Sequence, residues 1–338
     1  MTARWKPQLK VRTAIRVALF LAGLGFLVYL AIELNVAEIL RLVTSIGWYL
    51  LPLVAMYAGC QASRAAALWL CQPQAKRAPY REVLAVRVSA EAVRLATFVG
   101  PVLAEPSKVW LLGRRGLTTI EGIAAIAAEL IAHSLIATSL SIGALAYLIR
   151  AFEVDALVRT PARVLIWVMS AYVVGAVVAI GFRVHLIGAV AHLLHRIGQL
   201  RSVTDPGEVR RMENMLLGVL RNPARLPAIL AFQVTANVCL ILEVWIALHA
   251  MGLELPWHYP LIVEGATKFV SVVFFFVPTQ VGASEGIYAL VLDTLGLAAA
   301  AGVGLAFVRR LRTLAVAGVG FVLIAILAPA DPVSGTDQ

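Results

Sequence analysis

Residues 98–122 read FVGPVLAEPSKVWLLGRRGLTTIEG, and residues 276–302 read FVPTQVGASEGIYALVLDTLGLAAAAG. Each stretch opens on Phe-Val, carries a proline and then a glutamate, Glu105 or Glu285. Each reaches Gly-Leu eleven residues after that glutamate, at Gly116-Leu117 and Gly296-Leu297. Both glutamates lie in apolar surroundings suited to a bilayer. An ionisable group at that depth is costly to bury, so its default reading is functional. A pair of interrupted hydrophobic segments in corresponding halves of a chain also points to a transport site.

The composition agrees. The chain has 338 residues, 61% of them hydrophobic, with a mean hydropathy of +0.87. No soluble domain of this length needs so much apolar surface, so the sequence predicts an all-α integral membrane protein forming one membrane domain. The net charge of +10 resides in short Lys- and Arg-containing segments between hydrophobic runs. That is the positive-inside bias, and no soluble basic domain is left to hold nucleic acid. Cys60 and Cys71 stand on one predicted helix, roughly 16 Å apart along its axis, too far to bridge. With Cys239 they fit no zinc spacing, and neither a metal nor a cofactor is expected.

Six runs read as full spans: 14–34, 47–70, 118–149, 163–182, 226–251 and 298–329. The first follows Arg4, Lys6, Lys10, Arg12 and Arg16, which places the N-terminus in the cytoplasm. Two further stretches, 83–112 and 259–292, carry charges, prolines and glycines mid-run. They read as re-entrant or broken-helix hairpins, tolerated at membrane depth where protein or a cavity surrounds them. Span, span, hairpin, span then occurs twice, in 14–149 and 163–329. An odd number of spans between the hairpins gives the halves opposite orientation, an inverted-topology repeat. At an offset of 180 residues Glu105 falls on Glu285, Leu112 on Leu292, Gly116 on Gly296 and Leu117 on Leu297. The arginine-rich segment 183–225 is assigned to the cytoplasmic side. Its stretch 185–200, with His192 and His195, is expected to lie at the interface. The tail from Pro329 is short and polar.

In the first hairpin Gly100 and Pro101 are read as the helix break. Pro106 then suits the first turn of a new helix, with Glu105 near its N-cap and Lys108 just beyond. Arg87, Glu91 and Arg94 share a helical face. In the second hairpin Glu264 and Lys268 form an i, i+4 pair. Pro278, Gly282 and Gly286 mark the break, and Glu285 falls at the start of a helix. Arg309, Arg310 and Arg312 interrupt the last run. They either form a cytoplasmic turn or project into the protein, where a guanidinium can hold a phosphate or pair with Glu285, Glu264 or Glu129. Glu129 and His133 are four apart and form either a proton relay or a structural pair. Glu243, with Gln233 and Asn237, either lines the same cavity or cross-links helices.

No Gly-x-Ser-x-Gly elbow, P-loop, His-Glu-x-x-His or Gly-x-Gly-x-x-Gly motif occurs, so no catalytic residue is assigned and no enzyme is expected. At Pro101–Glu105 with LLGRRG (111–116), and at PTQVGASEG (278–286) with the arginines 309–312, the chain resembles the flippase-like transmembrane region of lysylphosphatidylglycerol synthases. Ala-Glu-Pro stands here where relatives often have Gly-Glu or Gly-Asp. The resemblance implies movement of a polar-headed lipid between leaflets of the bacterial cytoplasmic membrane. It places functional charges at Glu105, Glu285 and Arg309. The partner implied is a membrane lipid with a polar or phosphate head group. Arg309 or Arg310 is then expected to hold phosphate, and Glu105 and Glu285 a cationic group or a proton. Two other functions stay open: a non-transporting scaffold for a lipid-modifying enzyme, docked on 183–225, and a small-solute or ion carrier.

Overall fold

The computed structural model describes residues 41, 43–96, 100–184, 206–268 and 282–327, and among them every regular element is helical. In chain order the helices are α1 (Leu50–Cys71), α2 (Tyr80–Ala96), α3 (Gly100–Gly113), α4 (Thr119–Ala151) and α5 (Ala156–Gly181). They continue with α6 (Pro206–Leu220), α7 (Leu226–Ala250), α8 (His258–Thr267), α9 (Ala283–Thr294) and α10 (Ala299–Leu327).

Among the described residues three helices are long and apolar enough to cross a membrane: Thr119–Ala151, Val158–Gly181 and Leu226–Ala250. They take the places of three of the six expected spans, 118–149, 163–182 and 226–251. The run 14–34, the stretch 185–200, Pro278 and the tail lie outside the described residues. Helix α1 takes the place of run 47–70, but Gln61, Ser63 and Arg64 dilute its apolar character. Helix α10 takes the place of run 298–329 and carries Arg309, Arg310 and Arg312 in its middle.

The doubled Gly-Leu has a structural cause. Gly116 has φ +93° and Gly296 φ +76°, the left-handed region that glycine enters at little cost. Past each glycine a leucine N–H reaches back five residues, Leu117 to the Leu112 carbonyl (3.4 Å) and Leu297 to the Leu292 carbonyl (2.9 Å). This is a Schellman terminator, and it ends α3 and α9 in the same way. Leu112 and Leu292 are both fully buried beneath it. After the first terminator a capping box starts α4: Thr118 Oγ1 accepts from the Glu121 N–H, and Glu121 accepts from the Thr118 N–H.

Counting 180 residues on from Thr119, the start of α4, gives Ala299, the start of α10. The packing is reciprocal at the same offset. Helices α1 and α7 share the most extensive helix contact, α4 packs on α8, and α10 packs on α2. Both crossings are close because one partner lacks a side chain. A Cβ on Gly265 of α8 would stand 2.3 Å from Ala144 Cβ of α4, and one on Gly320 of α10 would stand 2.4 Å from the Val88 carbonyl of α2. Small residues at such crossings let backbones approach where no water drives helices together. The amphipathic α6 buries Leu216, Leu217 and Leu220 against α4 and its neighbours. Arg221 then donates to the Gly181 carbonyl at 2.8 Å, closing the end of α5.

Candidate functional site

Charged side chains gather inside this apolar bundle in two groups. The first is centred on Glu129, the eleventh residue of α4, which has no exposed surface. Its Oε1 accepts from Arg64 Nε of α1 at 3.0 Å and from Gln233 Nε2 of α7 at 3.1 Å. Arg87 Nη1 of α2 lies 3.5 Å from the same oxygen. Arg87 donates from Nε to Gln61 Oε1 of α1 at 2.8 Å, but its buried Nη1 has no hydrogen-bond partner among the described residues, nor has Glu129 Oε2. Arg87 is 2% exposed and Lys108 5%. Lys108 Nζ donates to Glu105 Oε1 at 2.7 Å and lies within electrostatic reach of Arg64, Arg87 and Glu129. Arg64, Arg87 and Lys108 are thus paired with Glu129 and Glu105, and Glu91, itself paired with Arg94, lies within electrostatic reach of Arg64 and Arg87.

His133 meets this group through Gln233 rather than through Glu129. The Gln233 amide NH₂ is committed to Glu129, so its carbonyl oxygen accepts, and His133 Nδ1, 3.0 Å away, is the donor. That fixes the tautomer and leaves the lone pair on Nε2.

The second group is centred on Arg309, the eleventh residue of α10. Its Nη2 donates to Glu264 Oε2 of α8 at 2.6 Å, its Nε to Glu243 Oε1 of α7 at 3.3 Å, and its Nη1 to the Tyr288 hydroxyl of α9. Lys268 Nζ donates to Glu264 Oε1 at 2.6 Å, and Arg312 donates to Glu243 Oε2. The Arg312 guanidinium also lies over the Tyr57 ring of α1, 3.8 Å from its centroid. Every cation in this group has a carboxylate partner, which is what a buried charge requires. Beside it Arg310 Nη2 stands 2.6 Å from Glu285 Oε1 and 3.2 Å from Ser284 Oγ. Glu285 Oε2 accepts from the Gly282 N–H at 2.9 Å, which holds the carboxylate over the first turn of α9.

Several expectations are corrected by this geometry. Helix α3 already begins at Gly100, so Pro106 sits inside it and Glu105 is mid-helix rather than at an N-cap. Gly100 and Pro101 open α3, after the end of α2 at Ala96, because proline is compatible with a first turn. Gly286 lies within α9, its N–H bonded to the Gly282 carbonyl, so it is no break. Gly282, with φ +82°, is the residue that turns the chain there. Arg309, Arg310 and Arg312 are not a cytoplasmic turn, since all three lie along α10, with Arg309 half-buried and Arg312 buried against carboxylates. Arg309 uses three of its five N–H donors, on Glu264, Glu243 and Tyr288. Glu105 and Glu285 take separate partners, Lys108 and Arg310. Glu91 pairs with Arg94 at 2.6 Å, while Arg87 turns toward Gln61 and Glu129. Glu243 cross-links α7 to α10.

Arg64 and Gln61 were not singled out by sequence. The available signal was a lone guanidinium within an otherwise apolar run, which on its own asks for an intramembrane partner. Among the described residues no group of three or more His, Cys, Asp or Glu side chains could hold a metal ion. Cys60 and Cys71 are free and buried.

The family model of the lysylphosphatidylglycerol synthase TM region matches residues 13–320. The chain belongs to that family of integral membrane proteins. No curated protein and no solved structure is significantly similar to it.

Proposed function

We propose that this membrane protein moves a polar-headed lipid, a phospholipid or a relative of one, between the leaflets of a bacterial cytoplasmic membrane, with no covalent chemistry of its own. The observation that carries this reading is the pair of buried ion clusters, centred on Glu129 and Arg309, at corresponding places in two similar sets of helices. Isolated charges at this depth are expensive, and their standard uses are substrate paths and ion or proton relays. Membership in a family named for a lipid synthase's membrane region directs the substrate class to lipids. The 180-residue correspondence and the reciprocal contacts of α4 with α8 and α10 with α2 support two halves of opposite orientation. In that plan one half rocks against the other around a fixed site. The head group crosses along the charged interior while the acyl chains stay in lipid.

In this mechanism Arg309 is a positioning residue that holds Glu243 and Glu264 in place. Glu285, in the first turn of α9, and Arg310 form the pair that opens and recloses; Arg310 keeps a third of its side chain exposed. Lys268 and Glu264 flank the same path. A scaffold role finds its support in the completeness of the pairing around Arg309. The test separates the two readings. In reconstituted vesicles, Glu285→Gln and Arg309→Ala should slow the exchange of a fluorescent phospholipid between leaflets. Exchange at the wild-type rate in both folded variants overturns the translocation mechanism.

A further inference from the structure

The two clusters carry the same balance, three cations to two directly paired carboxylates, but differ in how fully the guanidiniums are hydrogen-bonded. Around Arg309 both Arg309 and Arg312 donate to a carboxylate oxygen. Around Glu129 two guanidiniums converge on one oxygen, Oε1, which also takes the Gln233 amide. Arg87 Nη1 is buried and has no hydrogen bond among the described residues. Lys108, 5% exposed, adds a third cation, and its carboxylate partner Glu105 keeps 34% of its side chain exposed. A buried guanidinium short of partners is a strong destabilisation unless an anion completes it.

We propose that Arg64, Arg87 and Lys108 form the binding site for the phosphate of the lipid that the protein moves. This rests on the translocation reading and deepens it. The three donors come from α1, α2 and α3, hence from different directions. A tetrahedral phosphate has oxygens to meet all of them, whereas a planar carboxylate presents two. The phosphate takes Lys108 from Glu105, accepts from the unpartnered Arg87 Nη1, and leaves Arg64 joined to Glu129 through Nε. Entry is from the side of Arg64 and Glu105, since these are the partly exposed members of the group. Guanidinium and ammonium hydrogen bonds to phosphate are charge-assisted, about twice as strong as neutral ones.

Binding is measured separately from movement. Purified protein in non-ionic detergent is titrated with a short-chain phosphatidylglycerol, with a short-chain glycolipid that lacks phosphate, and with inorganic phosphate. Tryptophan fluorescence is the readout. Wild type should bind the phospholipid saturably, and Lys108→Gln and Arg87→Gln should each weaken that binding by about tenfold or more, with glycolipid binding unchanged. Lys108→Arg should retain it. Where Arg87→Gln fails to fold, the Lys108 variants carry the result. Equal phospholipid binding by wild type and folded Lys108→Gln overturns the assignment, whether or not lipid is moved. Inorganic phosphate binding that the phospholipid does not displace overturns a lipid phosphate as the ligand. Absence of movement of either lipid by wild type, with the binding difference intact, instead overturns the translocation reading.

Discussion

Glu129 and Arg309 stand 180 residues apart, each eleventh in its helix, and carry opposite charges. Each is held by two partners of the opposite sign: Glu129 by Arg64 and Arg87, Arg309 by Glu243 and Glu264. Arg64 and Glu243 come from α1 and α7, and Arg87 and Glu264 from α2 and α8, so the partners correspond as well. One ion triad has been built twice with its charges reversed.

Removing the central carboxylate strands two buried guanidiniums. Glu129→Gln should destabilise the protein by about 3 kcal/mol or more, since breaking one side of a buried pair leaves the other uncompensated. Equilibrium unfolding in mixed detergent measures it. The double variant Glu129→Gln, Arg64→Gln should cost less than the two single changes added together. Strict additivity would mean that the pair is not coupled.

Gly320 and Gly318 lie on the same helix, but only Gly320 meets a neighbour. Gly320→Ala places a Cβ on the Val88 carbonyl, while Gly318→Ala meets nothing within 4 Å. The first should cost on the order of 1–3 kcal/mol as α10 is pushed off α2. The second should be neutral or slightly stabilising. Equal thermal midpoints for the two variants would contradict the close crossing.

The helix terminators offer a matched pair of changes. Gly116→Ala and Gly296→Ala force a side chain into positive φ and should each destabilise by about 1 kcal/mol or more. Gly113, the last residue of α3, has open space around it and no positive φ, and should tolerate alanine. Hydrogen exchange at Leu117 and Leu297 would locate the loss at the terminators.

Gly282 and Glu285 start α9 together. Glu285→Gln weakens the hold on the Gly282 N–H and uncouples Arg310, so amide exchange should quicken first at residues 283–286. Faster exchange spread evenly over α9 would show that the carboxylate supports packing rather than the first turn.

Much of this was legible in the sequence where the interaction is local. The i, i+4 pair of Glu264 and Lys268, the helix start at Glu285 and the doubled Gly-Leu all follow from spacing along one segment. The interior position of Arg309 was one of two readings, and the carboxylates on α7 and α8 decide it. What stayed hidden depends on contacts across helices. Arg64 looks like an isolated flaw in a span until Glu129, sixty-five residues on, is packed beside it. The link from His133 to Glu129 runs through Gln233, a hundred residues away, so i, i+4 spacing suggested a direct pair that the fold does not make. Glu105 was misplaced because Pro106 suits a first turn, yet Pro101 already fills that role five residues earlier.

The most direct measurement is the accessibility of a fluorescent phospholipid to a membrane-impermeant reductant in sealed vesicles, with and without the protein. Translocation predicts that the reductant reaches label from both leaflets when wild-type protein is present. It should reach only the outer leaflet in vesicles without protein and be slowed by Lys108→Gln. Bleaching confined to the outer leaflet in vesicles that hold folded wild-type protein would contradict it.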